Sequence, residues 1–380
     1  MKKLSVIIAT LAIAAGCNSS APDVITLTGE CDSVTLSYSD IVSRVRYTVL
    51  DAGDKARLGR ILDIERTESY IFVISQGVEG VLQFDTEGRM LRRILLPKDD
   101  DPHSLAADNE NRLLTVGCGR VMHIYNFSGR HLRTVSLSGR SRWDILSPAP
   151  GYLCKIALPS TANNVTDPGF HLAEIINYSD STINTLAYRD TSSTETMHLA
   201  LPQLYGYIGN GGMEILSSVS DTIFAIDSKG AHPVATIEPS GAMRYKSNSG
   251  KGSHRSDPSA YHIESMMSTP SHIYLQVCHN DSLTVVAYDR MNGTVGRYRT
   301  GIRIDEHMAR CNIFVNDYDG GPGAWGNFPL SDGGHATMIY PSDIETLRYN
   351  GKLDRVRSKE LHDALSRSKE MPMVMFIDFK

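Results

Sequence analysis

A short strand-and-turn unit recurs along this chain and limits its fold more than any other feature of the sequence. Each copy alternates apolar residues and then has an Asp or Asn, with a Gly three or four residues later; clear copies lie at 81–88, 121–129, 223–230 and 285–293. Alternate apolar residues pack one face of a strand, and the Asp/Asn–Gly tip reverses the chain where a positive φ is needed. Helical periodicity is nearly confined to residues 1–16 and 359–368, so the sequence indicates an all-β protein.

The spacing of these turns matches a β-propeller. Gly88 and Gly129 are about 40 residues apart, which is the length of one four-stranded blade. The interval from Gly129 to Gly230 holds two blades, with a degenerate copy near 175–180, and the interval to Gly293 holds one blade and a loop inserted at 241–260. A last unit covers roughly 305–350. The sequence therefore predicts a six-bladed β-propeller of four-stranded antiparallel blades, with a short C-terminal helix before the closing strand. A β-sandwich pair is the alternative.

The N-terminus has the features of an export signal. Lys2 and Lys3 precede an apolar stretch at 6–15 that is too short to cross a bilayer as a helix. The sequence that follows, Ile-Ala-Ala-Gly-Cys at 13–17, resembles the lipobox of bacterial lipoproteins, in which the Cys is acylated, although Ala14 stands where Leu is usual. We therefore expect a lipoprotein signal peptide at 1–16, a tether at 17–23 and a single propeller domain at 24–380. A plain signal peptide with an incidental Cys17 is the alternative.

This reading predicts a location in the cell envelope, with acylated Cys17 held in outer-membrane lipid. The periplasmic and surface faces both remain open, and the uncharged residues after Cys17 favour the periplasm. The charge balance argues against nucleic acid as a partner, because 38 Lys and Arg against 43 Asp and Glu give a net charge of -5. Such a chain has no basic excess with which to neutralise phosphates.

The six cysteines form no Cys-x-x-Cys pair, which excludes a zinc knuckle. If Cys17 carries lipid, an odd number remains and at least one thiol is free. The pairing among the others stays open at this point: Cys31, Cys118, Cys154, Cys278 and Cys311.

Four segments carry a family resemblance. They are residues 39–42 with 58–61, the Ser-Asp-Thr-Ile-Phe at 220–224, the Val-Asn-Asp-Tyr-Asp-Gly-Gly at 315–321, and residues 371–377. Through them the chain resembles the six-bladed β-propeller lipoproteins of Gram-negative gut bacteria, which are related to NHL-type propellers. It departs from that family at 97–103, where a Gly-Pro-Gly-Glu-like turn is absent. A closed ring removes free sheet edges, so we expect the early segment 24–36 and the late strand 374–379 to lie in the same or adjoining blades.

The most specific of these matches contains two carboxylates. Asp317 and Asp319 lie two residues apart in a turn with Asn316, Gly320 and Gly321, and oxygen-rich loops of this sort can bind Ca²⁺. No Glu completes an EF-hand pattern. We expect a structural turn in which both carboxylates accept backbone hydrogen bonds.

Three histidines suggest a metal site. His103, His262 and His335 each open, or nearly open, a run that could be the innermost strand of a blade, and inner strands line the central channel. NHL-related lyases build a channel metal site in a comparable way. The alternative is three unrelated histidines. We expect no cofactor. If the protein does hold a metal ion, Ca²⁺ and Zn²⁺ are the candidates.

Two groups of residues are candidates for binding a ligand at the mouth of the channel. Arg140, Arg142 and Trp143 open the third blade, although Trp143 also suits a packing role between blades. Lys246, Lys251 and Arg255 form a basic patch in the inserted loop, which suits an anionic partner, although a solvated loop is equally compatible.

No Gly-x-Ser-x-Gly elbow and no Gly-rich phosphate loop is present. The sequence therefore favours a lipid-anchored, non-catalytic binding propeller that recognises a glycan, a peptide or a protein partner at the channel mouth. The alternative is a metal-dependent lyase or hydrolase with its site in the channel.

Overall fold

The structure, a computed structural model, describes residues 22–32, 36–53, 56–97, 100–138, 142–158, 160–164, 171–187, 198–199, 204–209, 212–216, 221–227, 230–239, 261–280, 282–303, 314–323, 325–349, 351, 353–368 and 370–380. Its elements run in the order β1 (Asp23–Thr26), α1 (Tyr38–Ile41), β2 (Val42–Val49), β3 (Ile61–Arg66), β4 (Ile71–Ser75), β5 (Val81–Phe84), β6 (Met90–Ile94), β7 (Ser104–Asp108), β8 (Leu113–Gly117), β9 (Val121–Asn126), β10 (His131–Ser136), β11 (Trp143–Ala149), β12 (Tyr152–Ala157), β13 (Ser160–Asn164), β14 (His171–Ile176), β15 (Thr182–Ala187), β16 (His198–Leu199), β17 (Leu204–Gly209), β18 (Gly212–Leu216), β19 (Thr222–Asp227), β20 (Gly230–Glu238), β21 (His262–Ser268), β22 (His272–His279), β23 (Ser282–Asp289), β24 (Val295–Arg303), β25 (Phe328–Pro329), β26 (His335–Ile339), α2 (Pro341–Tyr349), α3 (Lys359–Arg367) and β27 (Met373–Phe379).

These strands form the six blades of a propeller, each with four antiparallel strands. Blades 1 and 2 are β3–β6 and β7–β10, and blade 3 is β11, β12, β14 and β15. Blades 4 and 5 are β17–β20 and β21–β24, and blade 6 is β25, β26, β27 and β2. The first strand of each blade is the inner one, and β7 contacts the inner strands on both sides, β3 and β11. The predicted fold is thus confirmed, including helix α3 before the closing strand β27; the sequence did not indicate α2.

Buried apolar side chains connect each blade to its neighbour around the ring. Ile64 of blade 1 lies in one cluster with Phe376 of blade 6, and Ile145 of blade 3 lies in another with Met122 of blade 2. A single blade cannot bury both of its faces, so the ring is what completes the core.

The recurring sequence unit is the turn between the third and fourth strands of a blade. Its glycines 88, 129, 230 and 293 all have positive φ. Its Asp or Asn accepts backbone N–H groups within the turn: Asp85 Oδ1 accepts from Arg89 N at 2.8 Å, and Asn126 Oδ1 accepts from Arg130 N at 2.9 Å. In the degenerate copy of blade 3, Asp180 takes the glycine's place with a φ of 58°.

The N-terminal segment crosses three blades on the outside of the ring. Strand β1 adds to blade 4 as a fifth strand, parallel to β20. Asp32 then bridges to Tyr298 of blade 5, Ser37 bridges to Val315, and β2 pairs with β27 in blade 6. We call the described residues between Asp23 and Ser37 the N-terminal strap. The expectation that 24–36 would adjoin the closing strand is wrong for β1, because β2 is the strand that closes the ring.

In the part of the chain that the structure describes, Cys31, Cys118 and Cys154 are free thiols. Cys311 lies outside the described residues. Among the helices that the structure describes, none has the length and apolar character needed to cross a membrane.

Candidate functional site

The first residues of the inner strands meet at one end of the central channel, which we call the mouth. Three polar side chains lie there: Asp63 of β3, Asp144 of β11 and Tyr205 of β17. All three are half-buried. Because the inner strands line the channel of a propeller, residues from blades 1, 3 and 4 contribute to one site.

Asp63 is held in place by backbone groups. Its Oδ1 accepts from Ile64 N at 2.8 Å, and its Oδ2 accepts from Leu105 N of blade 2 at 2.7 Å. For the carboxyl of Asp144 and the hydroxyl of Tyr205, by contrast, the described residues supply no hydrogen-bond partner. Both residues are half-buried, so the site offers unused hydrogen-bonding capacity.

The carboxyls of the mouth resist ionisation. Burial raises the pKa of Asp63 to about 7, and the charge of Asp144 adds to this effect, although two backbone N–H groups oppose it. Burial also raises the pKa of Asp144 to about 7, against the influence of Arg142. Burial first, and then the charges of Asp63 and Asp144, hold the pKa of Tyr205 well above its usual value. The charge of Asp144 thus acts on both Asp63 and Tyr205.

Arg142 and His103 flank this site. Both pack around Gly119, where a Cβ would lie 2.8 Å from Arg142 Nε and 3.3 Å from His103 Cε1. Burial, and then the charge of Arg142, lower the pKa of His103, which favours the neutral imidazole. Among the described residues, its buried Nε2 has no hydrogen-bond partner. Gly119 therefore makes room for two of the sequence-predicted residues at the mouth.

Hydrogen bonds between blades fix the inner strands behind this site. Ser104 Oγ of β7 accepts from Ile145 N of β11 at 2.9 Å. Tyr207 Oη of β17 accepts from Ser147 N of β11 at 3.1 Å. These bonds tie blades 2 and 4 to blade 3, so the polar groups of the mouth rest on a rigid frame.

The three histidines of the predicted metal site do not come together. His103 precedes the inner strand of blade 2, and His262 begins the inner strand of blade 5. His335 begins β26, the second strand of blade 6, and is fully buried with its ring nitrogens facing the carbonyls of Gly326 and Ser268 at 3.2 and 3.3 Å. The inner-strand assignment of His335 is therefore wrong. Across the described residues, no group of three or more His, Cys, Asp or Glu is arranged to hold a metal ion.

Trp143 has a packing role. It is 2% exposed, its Nε1 donates to Ser138 O at 3.2 Å, and Lys155 Nζ lies 5.0 Å from its ring centroid. The indole N–H and one face of the ring thus already have partners within the protein. Trp143 is therefore not a candidate ligand contact. Cys17, Arg140, Lys246, Lys251 and Arg255 lie outside the described residues, so their roles stay predictions.

In the 316–321 turn, both carboxylates accept hydrogen bonds, as a structural turn requires. Asp317 accepts from the backbone N and the hydroxyl of Ser39, at 2.9 and 2.5 Å. Asp319 Oδ1 accepts from Asn316 Nδ2 and from Gly321 N, at 2.7 and 2.9 Å. Asp317 thus attaches the turn to helix α1, which directly follows the N-terminal strap.

Sequence reasoning missed Asp63, Asp144 and Tyr205. The signal that marks the two carboxyls is a single Asp between large apolar residues in a strand, as in Ile61-Leu62-Asp63-Ile64. A buried carboxyl is costly, so such an Asp in a predicted inner strand indicates either an inter-blade contact or a site.

The raised pKa of Asp144 predicts a pH-dependent difference in stability. An acid whose pKa is higher in the folded protein than in the unfolded chain stabilises the folded state while it is protonated. For Asp144 this stabilisation is lost as the pH rises from about 4 to about 7. The Asp144→Asn variant cannot ionise at this position. We therefore expect it to gain stability relative to wild type between pH 5 and pH 8, measured by urea unfolding at both values. The exposed Asp354→Asn is the control, and a difference that does not vary with pH would contradict the assignment.

Comparison with known proteins supports the fold. No family model matches the chain, and no curated protein sequence matches it. The crystal structure of a "Putative exported protein" from Bacteroides fragilis NCTC 9343 superposes with a TM-score of 0.64 at 14% identity, over 94% of this chain and 99% of that chain. U3-55K has a TM-score of 0.40 at 13% identity, over 67% of this chain and 68% of that one. The WD40 propeller domain of Doa1 has a TM-score of 0.36 at 13% identity, over 67% of this chain and 71% of that one. The likeness to the first of these is one of propeller fold.

Proposed function

We propose that this protein is an exported binding propeller, anchored in the outer membrane through acylated Cys17, that binds a polar ligand at the mouth of its channel. One observation carries the proposal of a ligand. At the mouth, Nε2 of His103 is buried without a hydrogen-bond partner among the described residues. The half-buried carboxyl of Asp144 and hydroxyl of Tyr205 are also without one there. A ligand-binding site offers a small number of such polar groups to its ligand.

The chemistry of the mouth selects the ligand class. Its carboxyls accept hydrogen bonds when ionised, and an amine or a hydroxyl donates them. A bound amine would also lower the pKa of Asp63 and Asp144, because a nearby cation stabilises the charged form. We therefore infer a ligand rich in hydroxyl or amino groups, such as a glycan fragment or the amino end of a peptide.

The proposal is tested by thermal unfolding with oligosaccharides, amino sugars and short peptides, because a ligand that binds only the folded state raises the melting temperature. We expect a member of this set to stabilise the wild type and the exposed-residue control Asp354→Asn. Asp144→Asn should lose that stabilisation. A ligand that stabilises all three proteins equally would place its binding site elsewhere.

A second function is favoured by the same two carboxyls. Groups with pKa values near 7 suit general acid–base catalysis, so a hydrolase acting on the bound ligand is the alternative. Incubating the stabilising ligand with wild type and Asp144→Asn separates the two functions. Product formed by the wild type alone indicates a hydrolase, and unchanged ligand with both proteins indicates a binding protein.

The anchoring is tested by Cys17→Ser. Acyl chains on Cys17 give stable attachment to a membrane, so this variant should move from the membrane fraction to the soluble fraction and should lose the mass of the lipid. The lipobox-like sequence at 13–17 supports the expectation, as does the likeness in fold to a protein named as exported. Unchanged fractionation and mass would exclude acylation of Cys17.

A further inference from the structure

A groove of about 900 Å³ lies between blade 1 and blade 6 and is bordered by helix α3. It opens near Arg66, the last residue of β3, whereas the mouth lies at the first residues of the inner strands. The groove is therefore separate from the site proposed above. Half of its lining residues are charged: Arg46, Arg66, Glu68, Glu87, Asp332, Lys359, Glu360, Asp363 and Arg367.

Arg66 is a buried residue of this lining, and one of its N–H donors is unused. It is 7% exposed, and its Nη2 contacts Asp332 and Asp378 at 2.7 and 2.6 Å. Its guanidinium lies over the ring of Phe376, at 5.0 Å from the centroid. Its Nη1 is buried and has no hydrogen-bond partner in the described part of the chain, although a buried guanidinium N–H without an acceptor is costly.

Arg46 of β2 lies beside it and is less well compensated. Its only ion pair among the described residues is a long contact of 3.4 Å between Nη2 and Asp378, and its buried Nε also has no partner. Burial, and then the charge of Arg66, lower the pKa of Arg46. The local environment thus disfavours its positive charge, and an additional negative charge would relieve it.

Most of the acidic groups in the lining already have partners. Asp332 binds Arg66, Glu360 Oε1 accepts from Tyr47 N at 3.1 Å, and Glu87 pairs with Arg89 at 3.1 Å. The hydrogen bond from Tyr47 N leaves the charge of Glu360 in place. Among the described residues, Arg46 and the exposed Lys359 and Arg367 of α3 therefore face three exposed carboxylates: Glu68, Glu360 and Asp363. The buried donors without an acceptor are Arg46 Nε and Arg66 Nη1.

We propose that this groove binds a small oxyanion, a carboxylate or a phosphate group, between the guanidinium groups of Arg46 and Arg66 and the helix residues Lys359 and Arg367. Guanidinium N–H donors match the oxygens of carboxylate and phosphate in geometry and in charge. An oxygen of the anion would supply the acceptor that the unused N–H groups lack.

The test measures the binding of inorganic phosphate and of succinate to the purified full-length protein by calorimetry and by thermal unfolding. We expect saturable binding of at least one of them, with the two anions distinguishing phosphate from carboxylate. Arg46→Gln should weaken this binding about tenfold or more, since it removes a charge-assisted hydrogen bond. The exposed Arg120→Gln, with the same change of charge on blade 2, should bind as wild type does.

A second variant tests the proposal in case Arg46→Gln does not fold. Lys359 and Arg367 are exposed on α3, so Lys359→Gln/Arg367→Gln should keep the melting temperature of the free protein and still weaken anion binding. The absence of saturable binding of either anion to wild type would overturn the proposal. Equal binding by wild type, Arg120→Gln and the helix double variant would overturn it as well, because it would show a general effect of salt.

Discussion

A protein that lacks residues 373–380 should fail to form a stable ring. Strand β27 lies in the interior of blade 6 between β26 and β2, and its first five residues are at most 2% exposed. Burying five large apolar side chains contributes on the order of 10 kcal/mol, which is comparable with the whole stability of a domain. We expect the truncated protein to aggregate or to lose its cooperative melt, measured by size-exclusion chromatography and by circular dichroism on heating.

The matched control is a protein that lacks β1. This strand is also short and also adds to a sheet, but it sits at the outer edge of blade 4 and leaves a complete four-stranded blade when removed. Its loss should lower the melting temperature and leave a folded monomer. If the two deletions have equal effects, pairing of β27 with β2 is not what closes the ring.

Gly320→Ala should be one of the most damaging single substitutions in the chain. Gly320 has a φ of 74°, and a Cβ at this position would lie 1.9 Å from the carbonyl oxygen of Arg355. Left-handed backbone alone costs an L-residue about 1–2 kcal/mol. The clash with backbone adds to this cost, so we expect a total loss above about 4 kcal/mol in urea unfolding.

Gly293→Ala separates the two contributions. Gly293 has a φ of 64°, similar to that of Gly320, but a Cβ there would meet no atom within 4 Å. It should therefore cost only the backbone strain of about 1–2 kcal/mol. Similar losses for the two variants would show that the close approach of Gly320 to Arg355 contributes nothing to stability.

The sequence predicts the fold well where a blade is built from consecutive residues. In blades 1, 2, 4 and 5 the Asp or Asn and the Gly of one turn lie within five residues of each other, so local chemistry reveals them. Blade 6 is different, because its outer strand β2 comes from the other end of the chain. The fifth strand β1 escapes prediction for a similar reason, since parallel pairing with β20 leaves no local turn.

The candidate site was harder to predict than the fold. His335 was placed in an inner strand because the length of β25, only two residues, is not visible in the sequence. Asp63 and Asp144 lie on different blades, and only the ring brings them near each other. Their shared chemistry is a property of the closed propeller, whereas each Asp alone resembles any polar residue in a strand.

The pairing of β2 with β27 also sets the order of events during biosynthesis. A ribosome completes β2 more than 300 residues before β27, and at about 5–20 residues per second the interval is on the order of tens of seconds. During that time β2 has a free edge that can pair with other chains. Blade 6 can form only after β27 has left the ribosome, so until then the nascent chain depends on other contacts to cover the edge of β2.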